Sequence, residues 1–356
     1  MLVFSFSHSQ AELDQTPWQV GRALPPHSVI FRNTPFLHSL KKADFPAFFS
    51  KCKALRDSIS HARLIFIDAT WDPIRLSNKQ IQNYLEELKP YFPKSRIVLL
   101  SSRAQHWFDD VPNCVYYPAF LMIPYHQYPN WQNLADHPRS GRIGCLNRNA
   151  KSHRSWLMHT LMRDKLIDAE RDVYSVSHVG LYDNAYIDVD GWLNSAGNTD
   201  LKINDEIRQG PNSFATNPDN FPNDYTINHP AWGTGISIIT ETEPGEDTIL
   251  SEKTAKGILS KSCFSIYMSD VGYRVLEQLG FEPRFFRDHA HDTNIKPLIN
   301  LCRQIDTEAL AMDYRQQQMR QIQHNYNWAD FGNDSYQATG WYARYQPKLH
   351  QALSNL

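Results

Sequence analysis

Apolar and polar positions along this chain fall into two alternating rhythms. Short runs rich in β-branched residues predict buried strands: Leu2 to Phe6, Ser28-Val-Ile-Phe31, Arg63-Leu-Ile-Phe-Ile-Asp68, Arg96-Ile-Val-Leu-Leu100 and Cys114-Val-Tyr-Tyr117. Between them, Phe45 to Ser58 and Asn78 to Leu88 carry apolar residues at the spacing of one helix face. Strands separated by helical crossovers imply a parallel sheet. From Ile123 to Ser140 the rhythm stops in turn-rich sequence, which places a domain boundary there.

A second series then begins. It predicts a strand at Arg142–Leu146, a helix from Ser152 to Leu166 and a strand at Asp172–Val176. The apolar run Ile236-Ser-Ile-Ile-Thr240 is a further strand, and after an acidic loop Ser251 stands as N-cap of a helix bearing Ala255, Ile258 and Leu259. A strand at Cys263–Met268, a helix Val271–Leu279 ended by Gly280, a strand Phe281–Phe286 and a long helix from about Asp306 to about Ile322 complete the series. Gly180 to Trp232 is rich in Asn, Asp, Gly and Pro, with one weak helical piece near Asp205. It is too long for an idle loop and predicts an insertion near a site. The tail, from Asn325 to Tyr345, carries Trp328, Phe331, Tyr336, Trp341, Tyr342 and Tyr345, a packing seam rather than a base-stacking platform. The expected organisation is therefore residues 1–135, 136–310 and a helical, aromatic tail 311–356 that packs back on the first unit.

Two strand-to-helix turns carry candidate chemistry. At the first, Cys145-Leu-Asn-Arg-Asn-Ala-Lys-Ser-His-Arg154, the stretch from His137 to Arg154 holds five basic residues and no acidic one. Basic side chains near a helix N-terminus suit a phosphate or diphosphate; a solvated basic loop is the plain alternative. At the second, Ser251-Glu-Lys-Thr254, Glu252 suits the positive end of the helix but Lys253 does not, unless an anion docks there. Each turn follows a strand of what should be one sheet, so both fall at its carboxyl edge.

Composition changes the picture little. At 356 residues, with 41% hydrophobic and 12% aromatic content, the chain suffices for about two cores. A net charge of −2 gives no general attraction to nucleic acid or membrane, so such contacts need local patches. Five scattered cysteines without a CxxC read as reduced thiols of a cytoplasmic protein. No signal peptide and no membrane span is expected. Asp288-His-Ala-His-Asp292 is the densest cluster of metal-ligand types, but spacing suggests no third ligand, and no metal or other cofactor is expected.

The strand ending in Leu146-Asn-Arg148, the basic helix start Lys151-x-His153-Arg154 and the Ser251-Glu-Lys-Thr254 turn resemble GT-B glycosyltransferases. The closer likeness is to the fucosyltransferase-like branch and to glycosyltransferase-like proteins of bacteriophages. It covers roughly Gly141 to Phe286, leaving Gly180 to Trp232 unmatched. The resemblance implies two Rossmann-like α/β domains facing across a cleft, with a nucleoside-diphosphate sugar on the second. It further implies that Glu252 binds ribose, that Arg148, Lys151, Arg154, Lys253 and Thr254 hold the diphosphate without a metal, and that Glu241 or Glu243 faces the sugar. Retaining members often carry Glu-x7-Glu; here eight residues separate Glu243 and Glu252, which leans toward inversion.

Inversion needs a base to take the acceptor proton. Asp68 and Asp72 near a strand end, then His8, are the candidates, against ordinary roles as caps or turn residues. Between Arg22 and Arg63 eight basic residues stand against Asp44 and Asp57. That excess would suit a DNA backbone, so a hydroxymethylated pyrimidine in phage DNA is marginally favoured as acceptor over a surface polysaccharide. A nucleotide- or DNA-binding protein without catalysis is the rival from another class.

Overall fold

The computed structural model describes residues 2–5, 28–32, 64–69, 78–109, 111–118, 120–121, 141–147, 152–167, 171–175, 230–241, 245, 248–285, 296–329 and 340–354. It is a mixed α/β structure built on two parallel sheets. The first holds β1 (Leu2–Ser5), β2 (Ser28–Arg32), β3 (Leu64–Ala69), β4 (Arg96–Ser101) and β5 (Cys114–Tyr116), paired in chain order. Leu64 pairs with Arg96 and Ser101 with Tyr116, so the carboxyl ends of β4 and β5 lie level. After Arg96, every residue of β4 is buried, the continuous apolar signature of a strand covered on both faces. The helix α1 (Asn78–Leu88) forms where the sequence places it, and buries Ile81 and Leu85 on one face.

The second sheet holds β6 (Ile143–Leu146), β7 (Val173–Ser175), β8 (Ile236–Thr240) and β9 (Phe264–Tyr267), in the order β7-β6-β8-β9. Strand order therefore reverses between β6 and β8, and no such reversal occurs in the first sheet. The helix α2 (Ser152–Arg163) follows β6 and ends sooner than its sequence pattern suggests, because the chain turns at Lys165 with φ of 54°. The helix α3 (Glu252–Leu259) follows β8, with Ser251 as N-cap as expected. Gly144 lets β6 run beside the turn at Ala231, whose carbonyl oxygen would lie 2.1 Å from any Cβ at that position.

The helix α4 (Asp270–Gln278) ends at Gly280, whose φ of 96° suits a residue without Cβ. The strand expected at Phe281–Phe286 is absent among the described residues 281–285. The backbone of Glu282 bonds instead to side chains: its N–H to Asn325 Oδ1 at 2.7 Å, its carbonyl to Asn325 Nδ2 and Gln321 Nε2. Those side chains belong to α7 (Met319–Trp328), which with α6 (Glu308–Gln317) replaces the single long helix expected from about Asp306 to about Ile322; α5 (Lys296–Gln304) precedes them. The break falls at Gln318. There the buried Arg315 side chain reaches across to the carbonyls of Thr234 and Lys261.

Beyond these comes α8 (Gly340–Ser354), which closes on the first sheet. Tyr345 donates from its hydroxyl to the Tyr116 carbonyl at 3.1 Å, and Lys348 Nζ to the Trp107 carbonyl at 3.0 Å. Trp341 and Tyr345 are buried, so these tail aromatics pack rather than project. Side chains of both sheets join one continuous apolar core, from Phe66 and Val98 to Ile143 and Ile238. A polar strap also crosses between them: Arg103 forms an antiparallel bridge with Ile249, and Ala104 N–H donates to Thr248 O at 2.9 Å.

Candidate functional site

The reversal between β6 and β8 is the physical origin of the site. Crossovers that leave a parallel sheet in opposite directions open a crevice outside the carboxyl ends of the two strands, and ligands of open α/β sheets bind there. Both suspicious turns flank this crevice. Arg154, in the first turn and a half of α2, donates from Nη2 to the carbonyl of Thr240, the last residue of β8, at 3.2 Å. Lys253, in the first turn of α3, donates from Nζ to the same oxygen at 2.9 Å. Two cations from two helix starts thus share one acceptor. His153 adds a third contact, its Nε2 lying 2.9 Å from the carbonyl oxygen of Glu241.

Glu241 is fully buried. Its Oε1 accepts the Ser251 N–H at 3.1 Å and the Thr254 hydroxyl, so the carboxylate caps the start of α3. This is a sound use of negative charge at a helix N-terminus. It also fixes Thr254, which has no exposed surface and whose hydroxyl is committed to Glu241. Ser251 completes the cap by accepting the Lys253 N–H. Glu252 stays half-buried in the same turn.

Asn147 and Cys145 lie buried beside Thr240. The Thr240 hydroxyl donates to Asn147 Oδ1, and Asn147 Nδ2 donates to Cys145 Sγ at 3.1 Å. Burial pushes the Cys145 thiol up to about 12, so it is a neutral packing group, not a nucleophile. Burial also lowers the Lys256 ammonium, one turn beyond Glu252, while the Glu252 charge acts in the opposite sense.

Of the residues that sequence reasoning singled out, Arg154 and Lys253 meet on the Thr240 carbonyl, Glu241 and Thr254 are buried and bound to each other, and Glu252 stands half-buried in the turn beside Lys253. It missed His153, although that residue sits inside the quoted basic helix start, and Tyr267 at the end of β9, whose ring lies 5.9 Å from the His153 ring. Arg148, Lys151, Glu243, Asp72, His8, the Asp288–Asp292 cluster and Cys52 lie outside the described residues. So does most of the basic stretch 22–63. Asp68 is in β3, paired with Leu100.

A second polar cluster, unforeseen from sequence, lies after β4. His106 Nδ1 is 2.7 Å from Ser101 Oγ and 3.6 Å from Cys114 Sγ. Ser101 Oγ already accepts the Arg103 N–H at 3.2 Å, which leaves its own proton for His106. Burial, reinforced by the Arg103 charge and opposed by Asp109, depresses the His106 imidazole to about 4. Burial raises the Cys114 thiol to about 12. Both groups are therefore neutral near pH 7 and form no charged nucleophile–base pair.

Among the described residues, the other cysteines (Cys114, Cys263 and Cys302) are likewise free thiols, no cluster of metal-ligand side chains occurs, and no helix is long and apolar enough to cross a membrane. No protein-family model, curated protein or solved structure matches the chain.

Proposed function

We propose that the chain is a glycosyltransferase of the GT-B kind, which binds a nucleoside-diphosphate sugar at the β6/β8 crevice and moves the sugar to an acceptor hydroxyl. The observation that carries this reading is the meeting of Arg154 and Lys253 on the Thr240 carbonyl. That oxygen holds the two cations side by side. As the bond to the sugar breaks, negative charge grows on the leaving diphosphate. Cations already in place stabilise it without reorganisation. Glu252, at the rim, takes the ribose hydroxyls. A base on the first-sheet side, with Asp68, Asp72 and His8 as candidates, receives the acceptor proton.

Donor binding tests this directly. A thermal-shift screen of nucleotide-sugars should find a stabilising ligand, and titration of that ligand should give saturable binding. Lys253→Met should weaken the diphosphate donor about tenfold and leave the bare nucleoside almost unaffected, since one charge-assisted hydrogen bond contributes about 1.5–3 kcal/mol. Equal losses for both ligands would instead mean a damaged fold. Glu252→Ala should weaken the bare nucleoside and the diphosphate donor alike while keeping the Tm of the wild type, which tells a lost ribose contact from a damaged fold. Slow hydrolysis of the donor without acceptor distinguishes a transferase from a binding protein. Mass spectrometry of hydroxymethylated DNA and of polysaccharide after incubation then separates the two acceptor classes.

A further inference from the structure

The last residue of β5 and the first residue after β8 each bury an oxygen that has no hydrogen-bond partner among the described residues: Tyr116 Oη and Glu241 Oε2. Tyr116 is 4% exposed and Glu241 0%. Native structures keep few such atoms, because a buried polar group without a bond has lost its water and gained nothing in exchange. A carboxylate is the costlier of the two groups to leave unanswered. The pair is complementary in kind, since a carboxylate oxygen accepts and a phenol has a proton to give.

Two observations put them in one neighbourhood. Burial first, and then the Glu241 charge, hold the Tyr116 phenol above its ordinary range. The strap between the sheets supplies the path. Tyr116 pairs with Ser101 at the level ends of β5 and β4. From there the chain passes to Arg103, bridged to Ile249, and to Ala104, whose N–H meets the Thr248 carbonyl. Ser251, two residues beyond Ile249, donates its N–H to the other Glu241 oxygen, Oε1, at 3.1 Å, and the Thr254 hydroxyl donates to the same atom. With one oxygen the carboxylate thus holds α3 on both sides of Lys253, and it has the second to spare.

We propose that Tyr116 positions the start of α3 from the first sheet: its hydroxyl donates to Glu241 Oε2, directly or across one buried water, and so fixes the carboxylate that holds Ser251 and Thr254. A carboxylate bonded through one oxygen can swing about that contact, and one bonded through both cannot. Lys253 stands between the two residues the carboxylate holds and reaches back to the Thr240 carbonyl, so its ammonium moves with the cap. Tyr116 therefore sets where that cation sits without touching a ligand. The consequence for ligand binding rests on the reading of the crevice as the donor site; the hydrogen bond itself does not.

Backbone hydrogen exchange on the full chain, with no ligand added, provides the test, and Tyr116→Phe is the variant. The Ser251 amide, which bonds to the carboxylate itself, should exchange about tenfold faster, the effect of losing one hydrogen bond to a charged group. The Leu310 amide, held by the Thr307 cap at the start of α6 at 3.3 Å, is the control and should keep its rate. The Tm should fall by about 2–4 °C, whereas removing a hydroxyl that bonds nothing would leave it level or raise it. The proposal is overturned if the Ser251 amide exchanges as in the wild type, if the Leu310 amide speeds up equally, or if the Tm does not fall. Titration of both proteins with nucleotide-sugars reports on the donor reading separately. A donor that binds the wild type should bind the variant several-fold more weakly, and equal affinity in a variant whose Ser251 amide has loosened overturns the role of Tyr116 in the crevice. If no nucleotide-sugar binds the wild type, the donor reading fails and the exchange result stands.

Discussion

Asp172→Ala should lower the unfolding free energy by about 3–5 kcal/mol, the usual cost of breaking a buried ion pair by removing one partner. Arg142 Nη2 lies 2.8 Å from Asp172 Oδ2, and the two side chains are 3% and 0% exposed. Asp172 Oδ1 also accepts the Arg142 Nε–H and the backbone N–H of Ile143, the first residue of β6. The guanidinium reaches further, to the carbonyls of Leu166 and Asp306. A single ion pair therefore ties the start of β6, the end of the α2 turn and the entry to α6. Alanine at 172 leaves a cation buried with only carbonyls to answer it. Urea unfolding followed by circular dichroism measures the loss, and a shift below about 1 kcal/mol would show that water reaches Arg142. Arg142→Met/Asp172→Leu should recover part of the deficit, because the uncompensated charge goes with the pair.

Acid should destabilise the protein in two separate windows. His106 has its imidazole depressed to about 4, against an unfolded value of about 6.5. Between those values the unfolded chain binds a proton that the folded chain refuses. Stability is therefore complete above pH about 6.5 and falls as the pH drops toward 4, by up to about 3 kcal/mol in all. His106→Gln should flatten that first window in unfolding experiments run from pH 7 to 4. The groups that face the imidazole are Arg103, Asp109, Cys114 and Ser101, and of these only Asp109 favours protonation. The second window lies lower. The hydrogen bond from Arg163 depresses the Asp164 carboxyl, so its contribution is present above its unfolded value near 3.8 and is lost as the pH falls below that. An acid midpoint unchanged in His106→Gln would mean that the imidazole is hydrated in the native state.

How much of this was legible in the chain depends on whether local pattern decided the outcome. Nine apolar runs became the nine strands of the described residues; in β8 and β9, buried throughout, a strand has little option but to be continuously apolar. The cap at Ser251 was also legible, since the hydroxyl acts within its own turn. Phe281 to Phe286 misled. Its alternation of apolar and polar residues has the period of a strand, but Phe285 packs against Phe264 at 4.8 Å and Asn325 takes the backbone bonds a neighbouring strand would have taken. Nothing near residue 281 announces an asparagine more than forty positions later. The break at Gln318 is of the same kind, because Arg315 leaves its helix for carbonyls far away in sequence. Strand order could not be read at all, although it is what creates the crevice. Lys253 was suspected because it offended the helix dipole, and the fold answers that offence with the Thr240 carbonyl.

The bond from Tyr345 to Tyr116 spans 229 positions. β5 is an edge strand, and an uncovered edge invites pairing with other chains. During synthesis from the N-terminus, the first sheet can assemble long before its lid has left the ribosome. For that interval Cys114 to Tyr116 is an open template. Nascent chains halted before residue 340 should accordingly be prone to self-association, and release of the last turns should end that exposure.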